Sequence, residues 1–137
     1  MNRILQDTLA MIKAERGGSG SERFALVDKL LLEYGENNLA ERLYNDIPPE
    51  WTWGIVADLF AILIWSTSDN GHALTNVTDQ WLEQGDDLRK IQIALHLDTY
   101  PFLQRDKMNS VLSSLATRYP IVADRCNELI LSRSESE

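Results

Sequence analysis

The sequence has little of the chemistry that most enzymes and metal sites use. Its 137 residues include one cysteine and two histidines, so an internal disulfide is excluded and a zinc site lacks ligands. Cys126 falls on the apolar stripe of a predicted helix, which favours a buried, unreactive thiol. The spacing of His72 and His96 matches no ligand motif. The sequence therefore predicts no enzyme activity, no metal site and no cofactor.

Long hydrophobic runs are also missing. The longest run, residues 54–65, has 12 residues and contains Asp58, whereas a membrane-spanning helix needs about 20 apolar residues. Residues 1–7 lack the basic region and apolar core of an export signal. We therefore expect a cytoplasmic protein with no membrane partner.

Basic residues are scarce in the middle of the chain. The sequence has 13 Lys and Arg against 21 Asp and Glu, a net charge of −8. Residues 33–87, here called the acidic segment, hold eleven acidic residues and one basic residue, Arg42, so this segment carries −10 and the remainder +2. All four tryptophans lie in it, at Trp51, Trp53, Trp65 and Trp81. This charge argues against direct binding of nucleic acid and in favour of a basic partner.

Apolar residues recur with helical spacing along the chain, and no segment keeps the alternating pattern of a strand. Turn-forming residues separate the periodic stretches, at Gly17–Ser21, Pro48-Pro49, Asn70-Gly71, Gly85, Tyr100-Pro101 and Tyr119-Pro120. The sequence predicts an all-α fold of about eight helices, arranged as stacked antiparallel helix pairs in a short HEAT-like solenoid or as an irregular bundle. We expect one helical domain over residues 1–131 and a flexible tail over residues 132–137.

Three finer expectations follow from the same patterns. Pro48-Pro49 is expected to open a helix, because the first helical turn tolerates proline. Trp65 and Trp81 lie on apolar stripes, which favours burial. Residues 100–103 recur 19 residues later as residues 119–122, which indicates a helix-pair repeat.

The helix predicted over residues 70–84 separates its side chains by character. Leu74, Val77 and Trp81 share one side. The opposite side carries polar and acidic residues, here called the α5 face: Asn76, Asp79, Gln80 and Glu83. Asp86 and Asp87 follow at the start of the next predicted helix. The spacing predicts one exposed acidic surface made of Asp79, Glu83, Asp86 and Asp87.

The stretch Trp81-Leu82-Glu83-Gln84-Gly85-Asp86-Asp87 resembles a pattern found in helical immunity proteins of bacterial toxin–immunity pairs, including those of contact-dependent inhibition. The general likeness, a small acidic helical chain without a reaction centre, covers most of the sequence. The resemblance implies a protein that binds and neutralises a basic toxin domain, with a nuclease as the usual target.

The acidic segment gives this hypothesis a set of contact residues. It comprises the carboxylates of the predicted surface and the tryptophans beside a helix start: Asp46, Glu50, Trp51, Trp53, Asp79, Glu83, Asp86 and Asp87. Carboxylates would speed encounter and half-buried aromatics would hold the complex. We expect a monomer. Two alternatives remain open: a helical-repeat adaptor that binds a peptide or partner helix, and a nucleic-acid mimic.

Overall fold

Eight α-helices joined by short segments make up the part of the chain that the structure describes. The structure is a computed structural model, and it describes residues 2–15 and 22–136. The helices are α1 (Arg3–Ala14), α2 (Glu22–Tyr34), α3 (Leu39–Asp46), α4 (Trp53–Ser66), α5 (His72–Gln84), α6 (Leu88–Leu95), α7 (Arg105–Arg118) and α8 (Ala123–Ser136). A short 3₁₀ helix, Pro120–Val122, precedes α8, and the described residues form no strand. The predicted all-α class is confirmed, while the expected connector at residues 17–21 lies outside the described residues.

Turn residues fix both ends of α5 as the sequence predicts. Asn70 and Gly71 both have positive φ, 56° and 79°, in the turn before the helix. Gly85 has φ 61° and ends the helix, because glycine enters this left-handed conformation without a steric penalty. Asp87 then caps α6, since its side chain accepts a hydrogen bond from the Lys90 backbone N–H at 3.2 Å.

The expected helix opening at Pro48-Pro49 is wrong. The Trp51 backbone N–H donates to the Pro48 carbonyl at 3.1 Å, so this stretch closes a turn instead of starting a helix. Thr52 occupies the N-cap position without a side-chain hydrogen bond, and α4 begins at Trp53.

Several helices contact the helix two positions away in chain order, as well as the adjacent helix. α5 contacts both α3 and α7, and α4 contacts both α2 and α6. The adjacent pairs α1–α2, α5–α6 and α7–α8 are also in contact. This pattern is compatible with stacked helix pairs, one of the two predicted arrangements.

Buried apolar side chains fall into two clusters that share two helices. The first draws mainly on α1 to α5, and the second on α7 and α8. α5 supplies Trp81 to the first cluster and Leu82 to the second. α6 supplies Ile93 to the first cluster and Ile91 to the second. The two central helices therefore connect both halves of the apolar interior.

The apolar helix α4 contains the exception to the tryptophan prediction. Trp81 is 2% exposed, as expected, but Trp65 in the last turn of α4 is 69% exposed. α4 is apolar on nearly all sides, so its sequence pattern does not show which side faces out. No described helix combines the length and the apolar character that crossing a bilayer requires.

The expected repeat is not reproduced in three dimensions. Phe102 is 7% exposed while its counterpart Ile121 is 71% exposed. The next positions are reversed as well, because Leu103 is 95% exposed and Val122 is 2% exposed. The two copies also differ in conformation: Phe102 has φ 62°, whereas residues 120–122 form the 3₁₀ helix.

The segment predicted as a flexible tail is helical over residues 132–136. These residues continue α8 to Ser136. Arg133 is only 6% exposed, and its guanidinium donates hydrogen bonds to backbone carbonyls of the loop before α7. This anchor to a segment some 30 residues away holds the last turns of α8 in place.

Candidate functional site

The α5 face has the predicted exposure at three of its four residues, and Asp79 is the exception. Leu74 and Trp81 are buried on the inner side of the helix, with Val77 half-buried beside them. On the outer side, Asn76, Gln80 and Glu83 are exposed and Asp79 is half-buried. The predicted division of the helix into an apolar and a polar side is therefore confirmed.

A groove runs beside the α5 face, between the helix and the loop that precedes α7. It consists of two adjoining cavities of about 500 Å³ and 410 Å³, which share Asn76, Asp79, Phe102 and Leu103 in their linings. Polar side chains of α5 form one wall, and Phe102 and Leu103 form an apolar opposite wall. This space is here called the α5 groove.

Arg133 of α8 holds the apolar wall of the α5 groove. Its Nη1 donates to the carbonyls of Pro101 and Phe102 at 3.1 and 2.9 Å, and its Nη2 donates to the Leu103 carbonyl at 2.8 Å. Phe102 has φ 62°, a conformation that non-glycine residues rarely adopt. The bond network of Arg133 keeps this strained loop in one shape, with the Leu103 side chain directed to solvent.

Asp79 is one of two half-buried carboxylates in the predicted contact set; the other is Asp87. The Phe102 backbone N–H donates a hydrogen bond to Asp79, which favours the charged form. Burial outweighs that bond and raises the pKa of Asp79 to about 6. The nearby Glu83 carboxylate adds to this rise, and Lys107 opposes it. Asp79 therefore lies in the groove as a carboxylate whose charge is incompletely compensated.

Glu83 and Asp86 differ in their partners although both are exposed. Lys107 of α7 places its Nζ 2.9 Å from a Glu83 carboxylate oxygen, so a base from outside the acidic segment pairs with Glu83. Asp86 lies between α5 and α6 and projects into solvent. Within the predicted acidic surface, Lys107 therefore partly neutralises the charge of Glu83, whereas Asp86 remains exposed.

Asp87 has structural partners on two sides. Besides capping α6, it accepts a hydrogen bond from the Tyr44 hydroxyl at 2.9 Å. Burial and this bond raise the pKa of Tyr44. Arg89 and Lys90 lie over the Tyr44 ring, at 5.3 and 5.0 Å from its centroid. Asp87 therefore joins α6 to α3 and faces two bases that come directly after the acidic segment.

The other predicted contact residues lie around the turn before α4. Asp46 and Glu50 are exposed, and Asp46 accepts a hydrogen bond from the Tyr34 hydroxyl at 2.9 Å. Trp51 and Trp53 are half-buried against the first apolar cluster, and the Trp53 ring lies 4.5 Å from the His96 ring. These residues present a mixed aromatic and acidic surface.

The sequence did not identify the second wall of the α5 groove. Phe102, Leu103 and Lys107 line it together with Tyr100 and Arg133. The available signal was an apolar pair directly after Tyr100-Pro101, in a stretch expected to join two helices. That signal could not show that the pair faces α5, because the facing residues lie about 25 positions apart in sequence.

The groups around the α5 groove are carboxylates, bases and apolar side chains. Within residues 2–15 and 22–136, no group of three or more His, Cys, Asp and Glu side chains is placed to hold a metal ion. Cys126 is buried, and burial raises the pKa of its thiol to about 11, which suppresses nucleophilic character. The α5 groove can pair the cation of a ligand with Asp79. It can also cover apolar atoms of the same ligand with Phe102 and Leu103.

Comparison of the chain with protein-family models, with curated proteins and with solved structures finds no match.

Proposed function

We propose that this protein binds a basic partner protein through the exposed carboxylates of the acidic segment and neutralises it by covering its working surface. In this role it is the immunity protein of a toxin–immunity pair, with a basic nuclease toxin domain as the partner, and it catalyses no reaction. The observation that carries the proposal is the α5 groove, where Asp79 and Glu83 lie beside an apolar wall. Asp86 follows at the end of the helix.

Long-range attraction is the first step of the proposed mechanism. Residues 33–87 carry −10, and three of their carboxylates that extend into solvent are Asp46, Glu50 and Asp86. Asp87 contributes less to this attraction, because it lies beside Arg89 and Lys90. Opposite charge raises association rates and is screened by salt, so it affects encounter more than lifetime.

The test measures association with a basic toxin domain, taken from the gene adjacent to that of this protein. We expect the association rate constant of the wild type to fall steeply from low to physiological ionic strength. E50K/D86K should lower it about tenfold or more at low salt. The matched control is D124K/E135K, which changes the net charge equally on the exposed surface of α8. Co-expression of the wild type should also restore growth of cells that make the toxin domain.

An association rate that ignores both salt and E50K/D86K would contradict electrostatic steering. A complex that forms without protecting the cells would contradict neutralisation.

An adaptor that holds a peptide or partner helix is the second candidate. Leu103, 95% exposed beside the buried Phe102, favours it because an apolar wall suits apolar ligands. The two functions differ in their response to variants. An adaptor should bind with little salt dependence and should lose affinity in L103S, whereas E50K/D86K should leave its binding unchanged.

A further inference from the structure

The α5 groove differs from the rest of the acidic surface in combining a recessed carboxylate with an apolar wall. Asp79 lines both cavities from α5, and Phe102 and Leu103 line both of them from the loop. A Lys or Arg side chain has the same two parts, an aliphatic stem and a cationic end. The groove therefore matches a long basic side chain in both shape and charge.

The basic side chains around Asp79 are bonded to other groups. Lys107 is the base of α7 that lines the groove, and its Nζ is 2.9 Å from Glu83. Arg133 lines the groove from α8 but directs its guanidinium to the carbonyls of the loop. His72, at the start of α5, and Tyr100, in the loop before α7, are the remaining titratable groups in the lining. An incoming ammonium or guanidinium group would thus add a second positive charge beside Asp79, in addition to the shared Lys107.

We propose that the α5 groove binds a Lys or Arg side chain of the partner protein, with the cation paired to Asp79 and its stem against Phe102 and Leu103. This inference rests on the proposed function, because it assigns the point where the basic partner is gripped. Asp79 then determines affinity and lifetime, whereas the exposed carboxylates affect encounter. A half-buried pair is screened less by solvent than a surface pair, so its contribution should persist at physiological salt.

A defined peptide tests the groove without knowledge of the partner. The probe is a blocked ten-residue peptide of alternating lysine and alanine, titrated into the isotopically labelled protein while amide chemical shifts are recorded. The largest shifts should fall on residues 76–83 and 102–107. The same peptide with acetylated lysines should produce no shifts, because acetylation removes the charge.

Two variants separate the groove from the general acidic surface. We expect D79N to weaken peptide binding about fivefold, and D86N, an equal charge change outside the groove, to weaken it less than twofold. Affinity should also fall in the wild type as the pH drops through 6, because Asp79 becomes protonated. This fall should vanish in D79N and persist in H72N, which removes the imidazole that lines the same groove.

Each outcome distinguishes the two proposals. If D79N and D86N weaken binding equally, or if the shifts fall on α3 and residues 50–53, the carboxylates attract cations but the groove assignment is overturned. If the lysine peptide shifts no amide at all, the groove assignment and the proposed attraction of a basic partner both fail. A pH response that survives in D79N and disappears in H72N assigns the effect to His72 and overturns the role of Asp79.

Discussion

Arg133 is a buried cation that donates hydrogen bonds to backbone carbonyls of a distant loop. Its guanidinium contacts Pro101, Phe102 and Leu103, and it also lies 3.5 Å from the Met108 sulfur. Removing it would leave three carbonyls without this donor and would free a loop that contains the positive φ of Phe102. Arg133 is therefore a structural residue at a position where the sequence indicated a frayed end.

We predict that R133M lowers the free energy of unfolding by about 2–4 kcal/mol, because buried hydrogen bonds to a charged group are lost. Urea denaturation followed by circular dichroism measures the change. E135Q, on the exposed side of the same helix, should change stability by less than about 0.5 kcal/mol. Equal stabilities of R133M and E135Q would show that the last turns of α8 contribute nothing to the fold.

Asp79 should make stability depend on pH in the direction opposite to most carboxylates. Its pKa is raised to about 6 in the folded state, from 3.8 in the unfolded chain. The neutral form is thus favoured by folding, and this contribution is fully present below pH 3.8 and is lost as the pH rises through 6.

D79N removes this titration and keeps an acceptor for the Phe102 N–H. We expect D79N to be more stable than the wild type at pH 7.5 by about 1 kcal/mol, a value reduced for the solvent that still reaches Asp79. At pH 4 the advantage should be much smaller. Paired urea titrations at both pH values measure the difference, and an advantage of D79N that stays constant with pH would refute the assigned shift.

At the scale of single elements, the turn between α4 and α5 brings Gly71 closer to a neighbouring backbone than Gly35 or Gly85 comes. Gly71 has φ 79°, and a Cβ added there would lie 2.8 Å from the Ile64 Cα atom. Gly35 has a similar φ of 71°, but a Cβ there would meet nothing within 4 Å. The two glycines therefore separate the cost of the backbone conformation from the cost of a steric clash.

G35A should lower the free energy of unfolding by about 1 kcal/mol, the cost of placing alanine in the left-handed region. G71A should cost about 3 kcal/mol or more, since the backbone of α4 must also move. Thermal unfolding of both variants measures the difference. Similar losses of unfolding free energy in the two variants would mean that the α4–α5 turn accommodates a Cβ atom at Gly71 without strain.

Local patterns in the sequence predicted helices and turns far better than they predicted the surfaces that meet. The spacing of Leu74 and Trp81 sufficed to place Asp79 and Glu83 on the outer side of α5, because that helix is strongly divided by polarity. Trp65 was misplaced because α4 has no such division. The groove wall and the ordered end of α8 both depend on contacts between residues some 25–30 positions apart, which periodicity does not encode.

At the scale of the whole molecule, the two apolar clusters should unfold together. All four tryptophans lie in residues 51–81, and Trp81 is a member of the first cluster. Leu9 belongs to the first cluster and Leu112 to the second, and both are fully buried. Tryptophan fluorescence therefore reports directly on the cluster that contains Leu9.

We predict that L9A and L112A each shift the same fluorescence-detected transition, with a loss of about 2–5 kcal/mol in either variant. The exposed Leu131, changed to alanine, is the control and should cost less than about 1 kcal/mol. The measurement is urea unfolding followed in parallel by fluorescence and circular dichroism. A fluorescence transition that L112A leaves unchanged would show that the second cluster melts separately.

Trp81 and Leu82 are consecutive residues, yet they anchor different clusters. A rotation of α5 about its own axis that improved the fit of one side chain would displace the other, so the helix has a single permitted orientation. The orientation of α5 also fixes where the residues on its outer side lie. An approaching molecule therefore meets carboxylates whose positions are set before binding. The entropic cost of ordering the recognition surface is then incurred when the chain folds, and little of it is left for the moment of encounter.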